Sequence, residues 1–177
     1  MMRREKQMKI RKLVGVIGIA SLLAVGLQSV ALAQDKATPR EVIDKVTAAV
    51  GVLAKSAGSD LADFNKPDGQ WVWKDSYIVV QNCETGITAA HPNQNLVGKN
   101  MMGLKDIKGN AFFPQFCEVS KKPGGGWVEY WWPKPNEKEP TRKLGYALEI
   151  PNSPFIALAG IYDDKISLEE LEKLIKK

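Results

Sequence analysis

The stretch 124–132 constrains the fold more than any other part of the 177-residue chain. Three glycines open it, and three of the chain's five tryptophans fall within its last six residues. A glycine triplet favours a turn, and an aromatic, β-branched run favours a strand. The two-residue period of a strand places Trp127 and Trp131 on one face and Tyr130 and Trp132 on the other. We therefore expect both faces of the sheet to be covered, with room for a ligand cavity on one of them, although aromatic strands more often belong to a core.

The N-terminus has the composition of an export signal. Six Lys or Arg residues precede an apolar run at 13–27, and Ala31-Leu32-Ala33 follows it. This pattern predicts a signal peptide over residues 1–33, cleaved to leave Gln34 as the first residue of a periplasmic protein. The alternative is an uncleaved membrane anchor, since 13–33 is nearly long enough to span a bilayer. No cysteine follows the apolar run, so a lipid-modified N-terminus is not expected.

The positive net charge of the chain comes from this N-terminal segment. The whole sequence carries a formal charge of +5. Removing residues 1–33 removes six of the 25 basic and one of the 20 acidic residues, which leaves 19 of each. The remaining chain has no net charge and no basic run with interleaved aromatics, so no nucleic-acid partner is expected.

Two cysteines, Cys83 and Cys117, remain in the exported chain. An oxidising compartment favours a disulfide between them. It would close a loop of about 34 residues and stabilise the fold by roughly 3–4 kcal/mol. The alternative is a pair of buried free thiols. Neither cysteine lies in a C-x-x-C pair, so zinc ribbons, thioredoxin chemistry and covalent haem have no support.

Capping signals and hydrophobic periodicity predict the order of elements. Thr38-Pro39-Arg40-Glu41 is a capping sequence, and apolar residues at three- and four-residue spacing predict a helix from there to about residue 57. A second capping box, Ser167 to Glu170, opens a C-terminal helix within 164–177. The other predicted elements are strands at 71–82 and 87–90, a helix at 111–120, and strands at 124–132, 141–150 and 155–162. This order describes an α+β fold with a five-stranded antiparallel sheet that ends in a meander.

Enzyme signatures are missing from the sequence. His91 is the single histidine, and there is no H-E-x-x-H, G-x-S-x-G or phosphate-loop motif. A Cys–His dyad would lose its thiolate to the predicted disulfide. One histidine with scattered carboxylates is poor material for a metal site. We expect no catalytic activity, no metal site and no cofactor.

Two polar residues are better explained by binding. His91 lies where a strand ends, a position that often faces the mouth of a cavity. Lys143, next to Arg142, interrupts an otherwise apolar strand, and a cation there is costly if it is buried unpaired. A carboxylate partner from the protein or from a ligand would remove that cost. The alternatives are a loop histidine with satisfied hydrogen bonds and a solvated lysine at the sheet edge.

A set of short motifs occurs along the chain in a characteristic order, and together they resemble the single Cache domain, type 2. The motifs are Trp73-x-x-x-Tyr77, Ala90-His91-Pro92-Asn93 with Leu96-x-Gly98-Lys99, Lys105-Asp106-x-x-Gly109 with Phe113, Gly126-Trp127-Val128-Glu129-Tyr130, Lys143-x-x-Tyr146, and Ala159-Gly160-Ile161-Tyr162. They span nearly all of 38–163, so we assign 34–163 to this domain. Each motif alone would mean little, and their order and spacing carry the resemblance.

The resemblance implies an extracytoplasmic sensor fold. In it a long N-terminal helix packs on one side of a PAS-like antiparallel sheet, with a small pocket on the other side and 124–132 as a middle strand. Members bind small metabolites such as acetate, propionate, lactate or pyruvate, and are commonly input domains of chemoreceptors or kinases. Motif position transfers a ligand-binding role to Tyr77, His91, Phe113, Trp127, Tyr130, Lys143 and Tyr146. Because Trp127 and Tyr130 have opposite parity, a regular strand can direct only one of them into a pocket.

The sequence differs from such receptors after the sensor region, since it stops fifteen residues past Tyr162 without a second span or signalling domain. It therefore resembles the stand-alone, secreted kind. The leading hypothesis is a periplasmic protein that binds a small, carboxylate-bearing ligand without a signalling module of its own. The alternative is an interaction module whose aromatic sheet and 133–140 loop dock a membrane-bound kinase or chemoreceptor. The oligomeric state is left open.

Overall fold

A computed structural model of the chain describes residues 35–175, so the predicted signal peptide lies outside the described residues. The first element is helix α1, Pro39–Leu53, and its predicted capping box is confirmed. The Thr38 side chain accepts a hydrogen bond from the Glu41 N–H at 3.3 Å, and the Glu41 carboxylate accepts one from the Thr38 N–H at 2.8 Å. The helix ends before residue 57 because Ala57 and Gly58 both take left-handed conformations, with φ of 49° and 83°.

The described chain forms the predicted α+β fold. The strands that make the main sheet pair in the order β4-β3-β7-β6-β5, and every neighbouring pair is antiparallel. The elements after α1 are β1 Val72–Trp73, β2 Ser76–Tyr77, β3 Val79–Asn82, β4 Thr88–Ala90, α2 Phe112–Val119, β5 Gly126–Pro133, β6 Pro140–Glu149, β7 Phe155–Ile161 and α3 Leu168–Ile175. Among these helices, none is long and apolar enough to cross a bilayer.

The sheet separates two hydrophobic clusters. On one side α1 packs its buried face of Val42, Val46, Ala49 and Leu53 against the sheet, together with Leu171 of α3. On the other side α2 packs its phenylalanines against the sheet. Since side chains alternate along each strand, β3, β5, β6 and β7 all contribute to both clusters. The sheet therefore has helices on both faces, as its aromatic strand predicted.

The predicted strand at 71–82 is three short strands. Lys74 takes a left-handed conformation, with φ of 49°, and turns β1 back onto β2 as a separate two-stranded hairpin. Asp75 in this turn is buried and accepts a hydrogen bond from the Ala37 N–H at 2.7 Å. The hairpin therefore ties the segment before α1 to the domain, and only β3 continues into the main sheet.

The prediction that the aromatic strand lies in the middle of the sheet is wrong, because β5 is an edge strand. It pairs with β6 alone, while β7 occupies the place between β6 and β3. Two N–H groups on its open edge are bonded to carboxylates, from Trp127 to Glu172 at 3.3 Å and from Trp131 to Asp106 at 3.1 Å. Such pairing protects the edge from strand addition.

The predicted disulfide is confirmed. Cys83, directly after β3, is bonded to Cys117 on α2, and their Cα atoms are 5.8 Å apart. The bridge joins two segments that are separated by 34 positions in the sequence. It fastens α2 over the face of the sheet that is opposite α1.

Candidate ligand-binding site

A small cavity lies between the sheet and α2. Its volume, counted as the space that the centre of a water molecule can occupy, is about 30 Å³. On that measure the cavity has room for about two or three water molecules. Its lining residues are Tyr77, Val79, Gln81, Thr88, His91, Leu96, Met101, Phe112, Phe116, Tyr130, Trp132, Lys143, Leu158 and Ala159. None of these described lining residues is acidic, and most are aromatic or aliphatic.

Four of the residues predicted to bind ligand come together in this cavity: Tyr77, His91, Tyr130 and Lys143. Tyr77 lies on β2, His91 directly after β4, Tyr130 on β5 and Lys143 on β6. These elements are far apart in the sequence. On β5 the parity question resolves in favour of Tyr130, which lines the cavity. Tyr130 and Lys143 are direct partners in the β5–β6 register, so both side chains point to the α2 side of the sheet.

The other three predicted residues lie outside the cavity. Trp127 and Tyr146 are partners in the β5–β6 register and face α1, with ring centroids 5.3 Å apart. The Tyr146 hydroxyl donates to the Gly124 carbonyl at 2.5 Å, so it holds the glycine turn before β5. Phe113 is fully buried in the α2-side cluster but does not line the cavity. Motif position suggested a ligand-binding role for Trp127, Tyr146 and Phe113, but the structure places all three in the hydrophobic core.

Lys143 is buried in the cavity wall, with 2% of its surface exposed. Its ammonium donates a hydrogen bond to the Tyr77 hydroxyl at 3.3 Å. The same Nζ lies 4.3 Å from the centre of the Tyr77 ring and 4.7 Å from that of Tyr162. Across residues 35–175, no carboxylate forms an ion pair with it. Cation–π contacts offset part of the cost of burying this charge, but no opposite charge neutralises it.

Arg142, the neighbour of Lys143 on the same strand, does have a carboxylate partner. It points to the other face of the sheet and forms an ion pair with Glu129, with Nε to carboxylate oxygen at 2.8 Å. Its guanidinium also donates to the carbonyls of Asp163 and Ile166, at 2.8 and 3.0 Å. Of the two adjacent cations predicted to need a carboxylate, one therefore receives it from the protein and the other does not.

Gly160 makes the position of Lys143 possible. A Cβ at residue 160 would lie 2.9 Å from Lys143 Cε and 2.7 Å from the Leu144 carbonyl oxygen. Glycine therefore leaves open the path by which the Lys143 stem crosses β7 towards Tyr77. The Gly160 carbonyl accepts a hydrogen bond from the Ser76 hydroxyl at 2.8 Å, which holds β2 at this crossing.

Two of the tyrosines around Lys143, Tyr130 and Tyr162, are neutral hydrogen-bonding groups. Burial raises the pKa of Tyr130 well above its ordinary value, and the nearby Tyr77 acts in the same direction. The pKa of Tyr162 is also raised, first by burial and then by Tyr77 and Tyr130. The Tyr162 hydroxyl donates to the Pro133 carbonyl at 2.7 Å. These phenols therefore do not supply a negative charge to balance Lys143.

His91 is held as a neutral imidazole. Its Nδ1 accepts a hydrogen bond from the Asn93 N–H at 2.8 Å, which places the ring proton on Nε2. Burial, and then the charge of Lys143, lower the pKa of His91 from 6.5 to about 3. Its ring centroid lies 4.9 Å from that of Tyr77. The Nε2–H is thus a neutral donor on the same wall as Lys143 and Tyr77.

Several lining residues were not predicted from the sequence. Gln81 has the same strand parity as Tyr77 and Val79, so parity would have placed it on this face. Phe112 and Phe116 contact Tyr130, with ring centroids 4.8 and 5.3 Å apart. A helix is predicted at 111–120, but nothing in its local sequence shows that part of its apolar face covers a cavity. Within the described chain, no three His, Cys, Asp or Glu side chains lie close enough to hold a metal ion.

The buried neutral state of His91 gives a prediction for acid stability. The unfolded chain binds a proton on this histidine near pH 6.5, and the folded chain only near pH 3. Between these values the unfolded state holds more protons, so the free energy of unfolding falls as the pH falls. The expected slope is up to about 1.4 kcal/mol per pH unit. His91→Asn, which keeps an acceptor for the Asn93 N–H, should remove this slope.

Urea denaturation at several pH values between about 5 and 6.5 measures this slope, because carboxylates titrate mostly below that window. His91 is the single histidine of the chain, so no other imidazole contributes. An equal slope in wild type and His91→Asn would contradict the assignment.

Comparison with known proteins identifies the family. The chain belongs to the family called single Cache domain 2, whose model matches residues 2–176. The motif resemblance is therefore confirmed. A crystal structure of a methyl-accepting chemotaxis protein from Vibrio parahaemolyticus matches with a TM-score of 0.59 and 26% identity, over 72% of this chain and 90% of that one.

Two further proteins are similar to this chain. A Cache chemosensory domain described for its recognition of carboxylic acids shares the fold, with a TM-score of 0.54, 24% identity, and coverage of 69% of this chain and 86% of that one. The methyl-accepting chemotaxis protein McpP of Pseudomonas putida is 29% identical over 85 residues. That segment is 48% of this chain and 16% of the receptor. The chain is thus a single Cache domain, and proteins similar to it include chemotaxis receptors.

Proposed function

We propose that this domain is a sensor for a small carboxylate, which it binds in the cavity between the sheet and α2. The observation that carries the proposal is the buried ammonium of Lys143, which has no carboxylate partner in the described chain. A buried charge without a partner is unfavourable, and folding alone gives no reason to keep it. A bound carboxylate supplies the missing charge.

The neighbours of Lys143 support the same ligand class. The Tyr77 hydroxyl and the His91 Nε2–H are hydrogen-bond donors, and a carboxylate offers about four acceptor sites. Lys143, Tyr77 and His91 can therefore all donate to one carboxylate. The walls formed by Phe112, Tyr130 and their neighbours are largely apolar, and apolar surroundings strengthen charge-assisted hydrogen bonds.

The size of the cavity favours a short ligand. With room for about two or three waters, it fits a ligand of few non-hydrogen atoms without large rearrangement. Acetate, propionate, lactate and pyruvate are the candidates of this size. The carboxylic-acid recognition described for one structural neighbour agrees with this class, although the likeness between the two chains is one of fold.

A thermal-shift screen tests the proposal. Each acid is compared with its neutral amide, for example propionate with propionamide, because the two are nearly the same size. An acid present at about 100 times its Kd adds about 2.7 kcal/mol of stability, which raises Tm by roughly 5–10 °C. The amides are expected to give no shift. If no short acid stabilises the protein, or if amides stabilise it equally, the proposal is wrong.

We further propose that the domain works in the periplasm after cleavage following Ala33. The support is the charged, apolar and small-residue pattern over 1–33. N-terminal sequencing of protein recovered from the periplasm is expected to begin at Gln34. Recovery of the chain with Met1 intact in the membrane fraction would favour the anchor instead.

A further inference from the structure

A second polar pair lies in the same cavity, away from Lys143. Gln81 on β3 and Thr88 on β4 are opposite each other in the antiparallel register, and both line the cavity. Gln81 is 6% exposed and Thr88 is 1% exposed. The Gln81 Nε2 donates a hydrogen bond to the Thr88 hydroxyl at 3.5 Å. The Gln81 Oε1 has no hydrogen-bond partner among the described residues.

An unsatisfied amide group in a cavity wall calls for a partner, because buried polar groups are almost always hydrogen-bonded. Exchanging the amide O and N of Gln81 does not remove the problem. The Thr88 hydroxyl can accept from the NH₂ or donate to the oxygen, and in each case the other end of the amide is left facing the cavity. An apolar residue at position 81 would have avoided this cost, so the position of the amide favours a ligand contact.

The pair lies at a distance from the charged end of the cavity. Tyr77 ends β2 and Gln81 lies in β3, four positions further along the chain, so their Cα atoms are at most about 13 Å apart. The Ala90–Val80 pairing places His91 between these two levels. A ligand whose carboxylate is bound by Lys143 would therefore approach Gln81 with its other end.

We propose that Gln81 and Thr88 form a second hydrogen-bonding subsite that binds a hydroxyl at the end of the ligand remote from its carboxylate. The ligand class is then a short hydroxy acid. This inference rests on the proposed function, because it uses the carboxylate to orient the ligand. A hydroxyl is both donor and acceptor, so it satisfies Gln81 in either amide orientation.

The charges of the lining residues argue against a second carboxylate or an amine at the end of the ligand near Gln81. Among the described lining residues, Lys143 is the one side chain with a formal charge, since His91 is neutral. A second carboxylate at Gln81 would be buried without a cation, and an amine would bring a cation into a cavity that has no acid. A neutral polar group avoids both costs. A hydroxyl is the smallest such group, which suits a cavity with room for about two or three water molecules.

Isothermal titration with matched pairs of acids tests the subsite. β-Hydroxypropionate is compared with butyrate, and γ-hydroxybutyrate with valerate, because each pair exchanges a hydroxyl for a methyl group of similar size. Wild type is expected to bind the hydroxy acid of at least one pair about 2- to 10-fold more tightly, as one added hydrogen bond predicts. Gln81→Leu is expected to abolish or reverse this preference while it still binds butyrate.

Two further variants keep the test independent of folding effects. Gln81→Met removes the amide with nearly the same side-chain shape, and is expected to behave as Gln81→Leu does. Gln115→Leu alters an exposed glutamine on α2, whose amide donates to the Ala111 carbonyl, and is expected to keep the wild-type preference. Equal affinities within both pairs for wild type would overturn the subsite alone. Failure of every acid to bind would overturn the proposed function and the subsite with it.

Discussion

Replacing Lys143 with methionine is expected to abolish carboxylate binding and to leave the fold intact. Removing one partner of a buried charge pair costs about 2–5 kcal/mol, so the affinity for propionate should fall by roughly 30-fold or more. Methionine has a similar length and keeps the packing against Tyr77 and Tyr162. The variant therefore removes the charge and changes the shape of the cavity little.

The stability of the ligand-free variant distinguishes this account from a structural role for Lys143. In the described chain the ammonium has cation–π contacts and the Tyr77 hydroxyl, but no carboxylate. Replacing a buried ion with an apolar side chain of similar volume is often neutral or stabilising. Lys143→Met is therefore expected to unfold at the same urea concentration as wild type or at a higher one. A binding residue and a core residue predict opposite signs for this change.

Lys108→Met is the matched control. Lys108 is exposed and its ammonium lies 5.4 Å from the centre of the Trp131 ring, so it also makes a cation–π contact. It does not line the cavity, and its replacement should leave the affinity for propionate unchanged. Titration calorimetry and urea denaturation of the three proteins give both measurements. Propionate binding to Lys143→Met at wild-type affinity would exclude Lys143 as the carboxylate ligand.

Local sequence signals were sufficient for much of the fold. The capping boxes at Thr38 and Ser167 rest on contacts within four residues, and both form as predicted. The sheet order was beyond such signals, because the insertion of β7 between β3 and β6 depends on pairing across the whole chain. The β5–β6–β7 meander was predicted, but not that β5 would be left at the edge.

The same distinction applies to the site. Strand parity separates Lys143 from Tyr146, and Tyr130 from Trp127, but it does not say which set faces α1. The structure shows that Lys143 and Tyr130 face α2. Gln81 and Thr88 come together through the β3–β4 register, which a bulge shifts between Val80 and Gln81. A shift of one residue in register depends on how the strands pair in the folded chain, and no motif in this segment predicts it.

Loss of the Cys83–Cys117 disulfide is expected to be the largest single loss of stability. The bridge closes a loop of 34 positions, and the chain-entropy model assigns about 3–4 kcal/mol to a loop of that length. For a domain of this size, Tm should fall by roughly 10–15 °C. Thermal and urea denaturation of the Cys83→Ala/Cys117→Ala variant measure the loss. A dithiol reductant should lower the Tm of wild type towards that of the variant and leave the Tm of the variant unchanged.

The bridge is also expected to affect ligand binding, since Cys117 follows Phe116 on α2. Phe112 and Phe116 form one wall of the cavity and contact Tyr130. Releasing α2 from the end of β3 lets this wall open to water, which weakens the hydrogen bonds to a bound carboxylate. The variant should bind propionate several-fold more weakly at a temperature where it is still folded. A variant as stable as wild type would contradict the stability prediction. A less stable variant with unchanged affinity would mean that packing against Tyr130 alone holds α2 over the ligand.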